Sequence, residues 1–192
     1  MVNKIPRELD NPFDNICNDL SEYMSELFYQ ANFTPNGLTT CSLIFGVASI
    51  YFLSKNDLQL FFVCWIIAYF FDCFDGYFAR KYSLVSQFGD FYDHAKDTIV
   101  GLSLYYFVYT NFKTYPIDLY VLIIITLLTH IHLGCQQYFY KNSEKTDYIP
   151  EFLDIFQNIC TESLKWTRYF GPGTMNIIIP LYIIYIVNRK LI

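Results

Sequence analysis

Apolar residues recur along this chain in two different ways, and the contrast separates a short amphipathic start from a long series of uninterrupted apolar runs. Phe13, Ile16, Cys17, Leu20, Met24, Leu27 and Phe28 fall at three- and four-residue steps, the spacing of one face of a helix. Asn11, Pro12 and Asp14 stand where an N-cap, an N1 proline and a first-turn carboxylate belong. The opposite face carries Asp14, Asp19, Glu22 and Glu26, so attraction to anionic headgroups cannot hold this helix to a membrane. The pattern predicts a helix lying flat at the interface against a membrane bundle, with a surface helix of a soluble domain as the plainer alternative.

Beyond Thr34-Pro35-Asn36-Gly37 the runs are apolar on every side. Leu38–Leu53 is uncharged, and with its capping turn it approaches the roughly 20 residues that cross a bilayer. Leu58–Phe71, the stretch from Asp97 to about Thr110, and Ile117 to about Leu133 read as further spans. Glu151–Phe170 is interrupted by Asp154, Glu162, Lys165 and Arg168, and Met175–Val187 is short, so a count of six transmembrane helices has a weak fifth member. With six, Arg80-Lys81, Lys141, Lys145 and Arg189-Lys190 fall on one side, as the positive-inside tendency asks. If the fifth segment lies on the surface instead, the C-terminus exits on the other side and Gly171-Pro172-Gly173 becomes a membrane entry point. The expected class is an all-α, multi-pass integral membrane protein. Residues 1–33 form a cytosolic amphipathic segment in this reading, and residues 34–192 the membrane domain.

Composition strengthens the membrane reading. Hydrophobic residues make up 54% of the 192 and charged ones 16%, an imbalance that a water-soluble surface would struggle to hide. The formal charge of -5 leaves no basic stripe to neutralise phosphates, which argues against a nucleic-acid partner. Cys17, Cys41, Cys64, Cys73, Cys135 and Cys160 show no zinc-ligand spacing and read as small apolar fillers. The first thirty residues lack a basic n-region followed by an apolar core, so no cleavable signal is expected.

The candidate chemistry lies between Asp72 and Asp97. Asp72 and Asp75 are three apart and share a helical face with Gly76 and Ala79, while Asp93 and Asp97 are four apart with Gly89 one turn earlier. Two helices meeting at the turn between Arg80 and Ser86 would bring four carboxylates together. Each uncompensated carboxylate near a bilayer costs up to roughly 3 kcal/mol, so a cation must accompany them. A hard divalent ion, Mg²⁺ or Mn²⁺, suits all-carboxylate ligation, and such ions also bind phosphates. Gly76, Ala79 and Gly89 leave room for a ligand, and Arg80 offers a fork for phosphate oxygens. A solvated acidic face is the simpler account of any one Asp pair, but it does not account for all the positions together.

The complete pattern, D-x2-D-G-x2-A-R-x8-G-x3-D-x3-D over Asp72, Asp75, Gly76, Ala79, Arg80, Gly89, Asp93 and Asp97, resembles the signature of the CDP-alcohol phosphotransferase family. Thr34-Pro35-Asn36-Gly37-Leu38-Thr39 is similar to the turn that often opens that family's first membrane helix. The resemblance implies a six-helix fold with a cytosol-facing polar cavity for a CDP-alcohol and two metal ions, Mg²⁺ or Mn²⁺. It implies Asp72, Asp75 and Asp93 as metal ligands, with Asp97 at the second metal and as a candidate base. Asn36, Gly76, Ala79, Arg80 and Gly89 are then at the nucleotide and diphosphate site. The implied reaction, in phospholipid synthesis, moves a phospho-alcohol group to the hydroxyl of a lipid or small alcohol and releases CMP.

Within the family the residues pull two ways. Gly89-Asp90-Phe91-Tyr92-Asp93-His94-Ala95-Lys96-Asp97-Thr98 resembles the G-E-x-x-D-H-G-x-D-S stretch of choline and ethanolamine phosphotransferases, which adds Asp90 and His94 as base candidates. Asp replaces Glu, Ala replaces Gly, and Lys96 is an unexpected cation beside the metals. The compact size looks more like a phosphatidylinositol or phosphatidylglycerophosphate synthase with a CDP-diacylglycerol donor. His130 and His132, near the end of the fourth span, are weaker functional candidates, with neutral histidines bonded to neighbouring carbonyls as the alternative; Gln136, Gln137, Lys141 and Arg168 are weaker candidates for binding the acceptor, with a solvated loop as the alternative. Membrane lipids are the expected surroundings, and a homodimer is compatible with the reading. From other classes, an aspartate-rich prenyltransferase would carry two distant D-rich motifs, and a metal transporter would hold its carboxylates mid-membrane.

Overall fold

The computed structural model describes residues 5–112, 114–142 and 164–189, and every regular element among them is helical. The first, α1 (Pro12–Gln30), starts as its sequence asks: the Asn11 side chain accepts from the Phe13 amide at 2.9 Å, and Pro12 opens the helix. Thr34 caps α2 (Pro35–Ser54) by accepting from the Gly37 amide at 3.1 Å. Lys55, Asn56 and Asp57 then reverse the chain, with Asn56 in the left-handed region that Asn tolerates, and Asp57 caps α3 (Leu58–Lys81). Ser86 caps α4 (Gln87–Asn111) through the Gly89 amide. The long α5 (Pro116–Asn142) follows. After it come the single turn α6 (Leu164–Thr167), a 3-10 turn (Arg168–Phe170) and α7 (Pro172–Arg189).

Two contacts set the direction of each neighbour. Ser42 Oγ donates to the Ala68 carbonyl at 2.9 Å and Thr39 Oγ1 to Asp75 at 2.5 Å, so α2 and α3 form an antiparallel hairpin. Thr40 meets the Tyr92 hydroxyl at 3.1 Å, Ser42 meets Lys96, and Gly46 faces Val100, so α4 runs parallel to α2. Gly46 is needed for that approach, because a Cβ there would lie 3.0 Å from a Val100 methyl. One end of the bundle therefore gathers the start of α2, the last turns of α3 and the start of α4. At the other end Leu53, Phe61, Trp65, Val100, Leu104, Val108, Ile183, Ile186 and Val187 close one apolar core from α2, α3, α4 and α7.

Among the described residues, four helical stretches are long and apolar enough to cross a membrane: Pro35–Ser54, Leu58–Lys81, Pro116–Gln136 and Leu164–Arg189. The α4 segment is not among them, because Asp90, Asp93, Lys96 and Asp97 fall in its first half. The expected count of six is thus not confirmed among the described residues; residues 151–163 of the expected fifth segment lie outside them, as do Lys145, Lys190 and the side chains of Gln137 and Lys141. The last helix runs the length of the bundle. Gly173 packs against Asn11, Phe13 and Asp14, whereas Arg189 at the far end of α7 pairs with Asp118 at the start of α5. Arg189 therefore stands at the opposite end from Arg80 and Lys81, and Gly171-Pro172-Gly173 is where α7 enters the bundle.

The first helix runs lengthwise along the last half of α3, from Asp14 beside Tyr69 to Tyr29 stacked on Tyr82. Its apolar face divides there. Met24 and Phe28 pack with Leu38, Phe74 and Phe78, while Phe13, Ile16, Leu20 and Leu27 stay exposed and the polar Asn15, Ser21 and Ser25 are buried. Cys17, Cys41, Cys64 and Cys73 carry free thiols, as fillers should. Cys135 is disulfide-bonded, which corrects that reading for this residue.

Asp118 is fully buried, and it accepts two hydrogen bonds from Arg189 (2.6 and 3.1 Å), one from the Tyr182 hydroxyl and one from the Tyr115 amide. Removing one partner of such a pair leaves a buried charge without its counter-ion. Arg189→Met is expected to lower the midpoint of chemical denaturation of the detergent-solubilised protein. The double variant with Asp118→Asn should recover part of that loss, and an additive double-variant cost would contradict the pairing.

Candidate active site

The acidic residues all lie on helix, on either side of a turn at residues 82–86, which the apolar runs alone did not show. The α3 helix continues ten residues past Phe71 to Lys81, and α4 begins ten residues before Asp97. Asp72, Asp75, Asp93 and Asp97 consequently sit about two turns inside the helices. Beyond them the chain turns sharply through Ser83, which adopts a left-handed conformation.

Three of the expected four carboxylates converge: Asp72, Asp93 and Asp97 each present one oxygen, all within 4.8 Å of one another. Asp75 is one turn from Asp72 on α3. It is 5% exposed, and its Oδ2 accepts from Thr39 Oγ1 at 2.5 Å. Thr39 was read only as part of a helix-opening turn, and its spacing held no sign that its hydroxyl would serve a carboxylate 36 residues away. Like charges this close repel strongly in a poorly solvated place, so the cluster needs positive charge.

Lys96 supplies some of it. Its ammonium forms ion pairs with Asp72, with Asp97 at 2.7 Å and with Asp93 at 3.1 Å, and it donates to Ser42 Oγ at 3.2 Å. One ammonium cannot offset four carboxylates. Asp93 Oδ1 is buried with no hydrogen bond, although Lys96 lies within ion-pair range of it; the pairing is Coulombic and leaves a lone pair unused. An oxygen-only donor set with a spare buried oxygen fits a hard divalent cation such as Mg²⁺ or Mn²⁺.

The other expected residues fall into two groups. A Cβ on Gly89 would lie 3.0 Å from Asn36 Oδ1, and one on Gly76 would lie 3.1 Å from an Arg80 guanidinium nitrogen. Asn36 and Gly89 therefore face each other across the starts of α2 and α4, and Arg80 folds back over Gly76, with Ala79 beside it on the same helix. Asp90 and His94 pair with each other instead: Nδ1 of His94 lies 2.8 Å from the Asp90 carbonyl and 3.8 Å from its carboxylate. Among the described residues, no hydrogen bond or ion pair joins either of them to the four carboxylates.

An acid not singled out for the site borders it. Asp14 of α1 accepts from the Tyr69 hydroxyl, one turn before Asp72. Although half-buried by area, it is desolvated enough, with the charge of Asp10 second, to hold its carboxyl well above the usual range. The weaker candidates form a separate polar group. His132 is fully buried between Thr167 Oγ1 at 3.1 Å and Gln136 at 3.0 Å, and Asn11 donates to the Arg168 carbonyl. His130 meets the Thr126 carbonyl one turn back. These contacts join the N-terminal segment and α5 to α6 and the 3-10 turn that precedes α7.

The sequence profile of the CDP-alcohol phosphatidyltransferase family matches residues 32–154, from just before α2 to beyond α5. The chain belongs to that family. Members are membrane-bound, generally depend on a divalent metal, and transfer a phospho-alcohol group from a CDP-alcohol. No curated protein matches the chain. The family segment contains every one of the four carboxylates and Lys96, whereas α1 and α7 lie outside it.

The Thr39–Asp75 bond gives a direct check on this arrangement. Thr39→Val keeps the shape but leaves a buried carboxylate oxygen without its donor, and the expected loss is about 2 kcal/mol of stability in detergent. Added Mn²⁺ should reduce that loss. A variant as stable as the parent would show that the bond contributes nothing.

Proposed function

We propose that this chain transfers a phospho-alcohol group from a CDP-alcohol to a hydroxyl acceptor in phospholipid synthesis, releasing CMP. The single observation that carries the reading is the approach of Asp72, Asp93 and Asp97 to within 4.8 Å inside a segment of this family. Asp72, Asp75, Asp93 and Asp97 would hold two divalent ions, Mg²⁺ or Mn²⁺. Such ions supply charge neutralisation for a diphosphate and lower the cost of charge building up on its oxygens.

The chain's own groups do the rest. Arg80 binds phosphate oxygens in a bidentate fork, over a floor kept open by Gly76 and Ala79. Asn36 and Gly89 border the donor at the starts of α2 and α4. Asp97, the most exposed of the three converging acids, with 57% of its side chain accessible, takes the proton from the acceptor hydroxyl. The acceptor oxygen then bonds to the β-phosphorus, the bond from that phosphorus to the bridging oxygen breaks, and CMP leaves with the electron pair. Residues 1–33 form a cytosolic segment whose exposed stripe of Phe13, Ile16, Leu20 and Leu27 rests in the membrane interface. Residues 34–192 form the membrane domain, with the site facing the cytosol.

Two donors remain in view. The Asp90–His94 pair on α4 favours the branch that uses CDP-choline or CDP-ethanolamine with diacylglycerol, in which such a pair would move the proton in place of Asp97. A CDP-diacylglycerol donor with a small polar alcohol needs neither residue.

The test is CMP release by the purified chain with Mn²⁺ or Mg²⁺, offered CDP-diacylglycerol, CDP-choline and CDP-ethanolamine with a panel of acceptors. Activity with one donor is expected, abolished by chelation and lowered at least about 100-fold by Asp97→Asn. Full activity of that variant with loss in His94→Asn would move the base to the Asp90–His94 pair. No CMP from any donor would contradict the transferase reading.

A further inference from the structure

A lysine ammonium carries three donors, and a buried one is tolerated only among acceptors of opposite charge. The Lys96 side chain is 3% exposed, and its ammonium forms ion pairs with Oδ1 of Asp72, Oδ1 of Asp93 and Oδ1 of Asp97, with Ser42 Oγ as a further acceptor beside them. Those three carboxylates are the same ones that converge. Its ammonium therefore rests on the ligand set itself. The residue sits one position before Asp97, about 100° around α4, and its four-carbon stem brings the charge back into the cluster.

We propose that Lys96 is a resident counter-ion of the acidic cluster, which a divalent cation must displace in order to bind, so that this side chain sets how tightly the site holds its metal. The proposal rests on the reading of the cluster as a metal centre. It follows from charge and volume. The ammonium and a divalent ion seek the same oxygens, and a single positive charge offsets part of the repulsion among them. A divalent ion brings twice the charge, but it must first move a cation that already holds three carboxylates. Lys96 thereby lowers metal affinity and protects the metal-free fold, two effects with opposite signs on removal.

The test uses the purified full chain in detergent, as parent, Lys96→Gln and Lys96→Arg, all prepared in Mn²⁺ and then titrated with a chelator while bound Mn²⁺ is followed by its electron spin resonance. Lys96→Gln is expected to hold Mn²⁺ at least about tenfold more tightly than the parent. Its unfolding temperature should fall below the parent's as metal is withdrawn and return when Mn²⁺ is restored. Lys96→Arg, which keeps the charge, should release Mn²⁺ near the parent's chelator concentration. Equal or weaker Mn²⁺ binding by Lys96→Gln overturns the counter-ion assignment and leaves the metal centre standing. Absence of Mn²⁺ binding in the parent and both variants overturns the two together.

Discussion

Four carboxylates on two helices within an apolar bundle impose the constraint on which the rest of this structure depends. Left alone they repel one another and forfeit solvation, at a cost of several kcal/mol for each ion. The chain answers that cost with local partners: Thr39 donates to Asp75, and Lys96 pairs with Asp72, Asp93 and Asp97. Neither partner is on α3. Both answers therefore require α2 and α4 to lie against it in register, and the small residue Gly46 permits the close contact between α2 and α4. Electrostatic need and helix packing are the same fact seen from two sides.

The architecture divides its polar load between the two ends of the bundle. At one end the acids gather beside Asn36, Arg80 and the first helix, where chemistry on a charged substrate is feasible. At the other, the buried Asp118 is matched by Arg189, Tyr182 and the Tyr115 amide, so that pair ties α5 to α7 and leaves no oxygen for a ligand. The apolar core of α2, α3, α4 and α7 closes the bundle at that second end. The same residue type thus serves opposite purposes, according to whether its partners saturate it.

Much of this was legible in the residues. Caps at Asn11 and Thr34 and a run without charge at Leu38–Leu53 mark elements through local chemistry, which survives any tertiary context. The spacing from Asp72 to Asp97 carried the family and three of its converging acids. What escaped was of two kinds. The boundary of the span on α4 was one: Ser86 caps the helix at the turn that the spacing of the acids had placed, whereas hydropathy alone began the span only at the end of the charges. Long-range partners such as Thr39 for Asp75 and Tyr69 for Asp14 have no signature, since a hydroxyl 36 or 55 residues away is selected by helix register and not by local pattern. The apolar face of α1 likewise divided, because burial follows which neighbour is present; Met24 and Phe28 found α3, and Ile16 and Leu20 did not.

The central claim is that these carboxylates form one divalent-metal centre shared by α3 and α4. Anomalous X-ray scattering from crystals grown with Mn²⁺ tests it most directly. The account predicts anomalous peaks bounded by Asp72, Asp75, Asp93 and Asp97, with the Lys96 ammonium moved off the oxygens it now occupies. Manganese found elsewhere, or crystals saturated with Mn²⁺ in which the four side chains keep only Lys96 and Thr39 as partners, would contradict it.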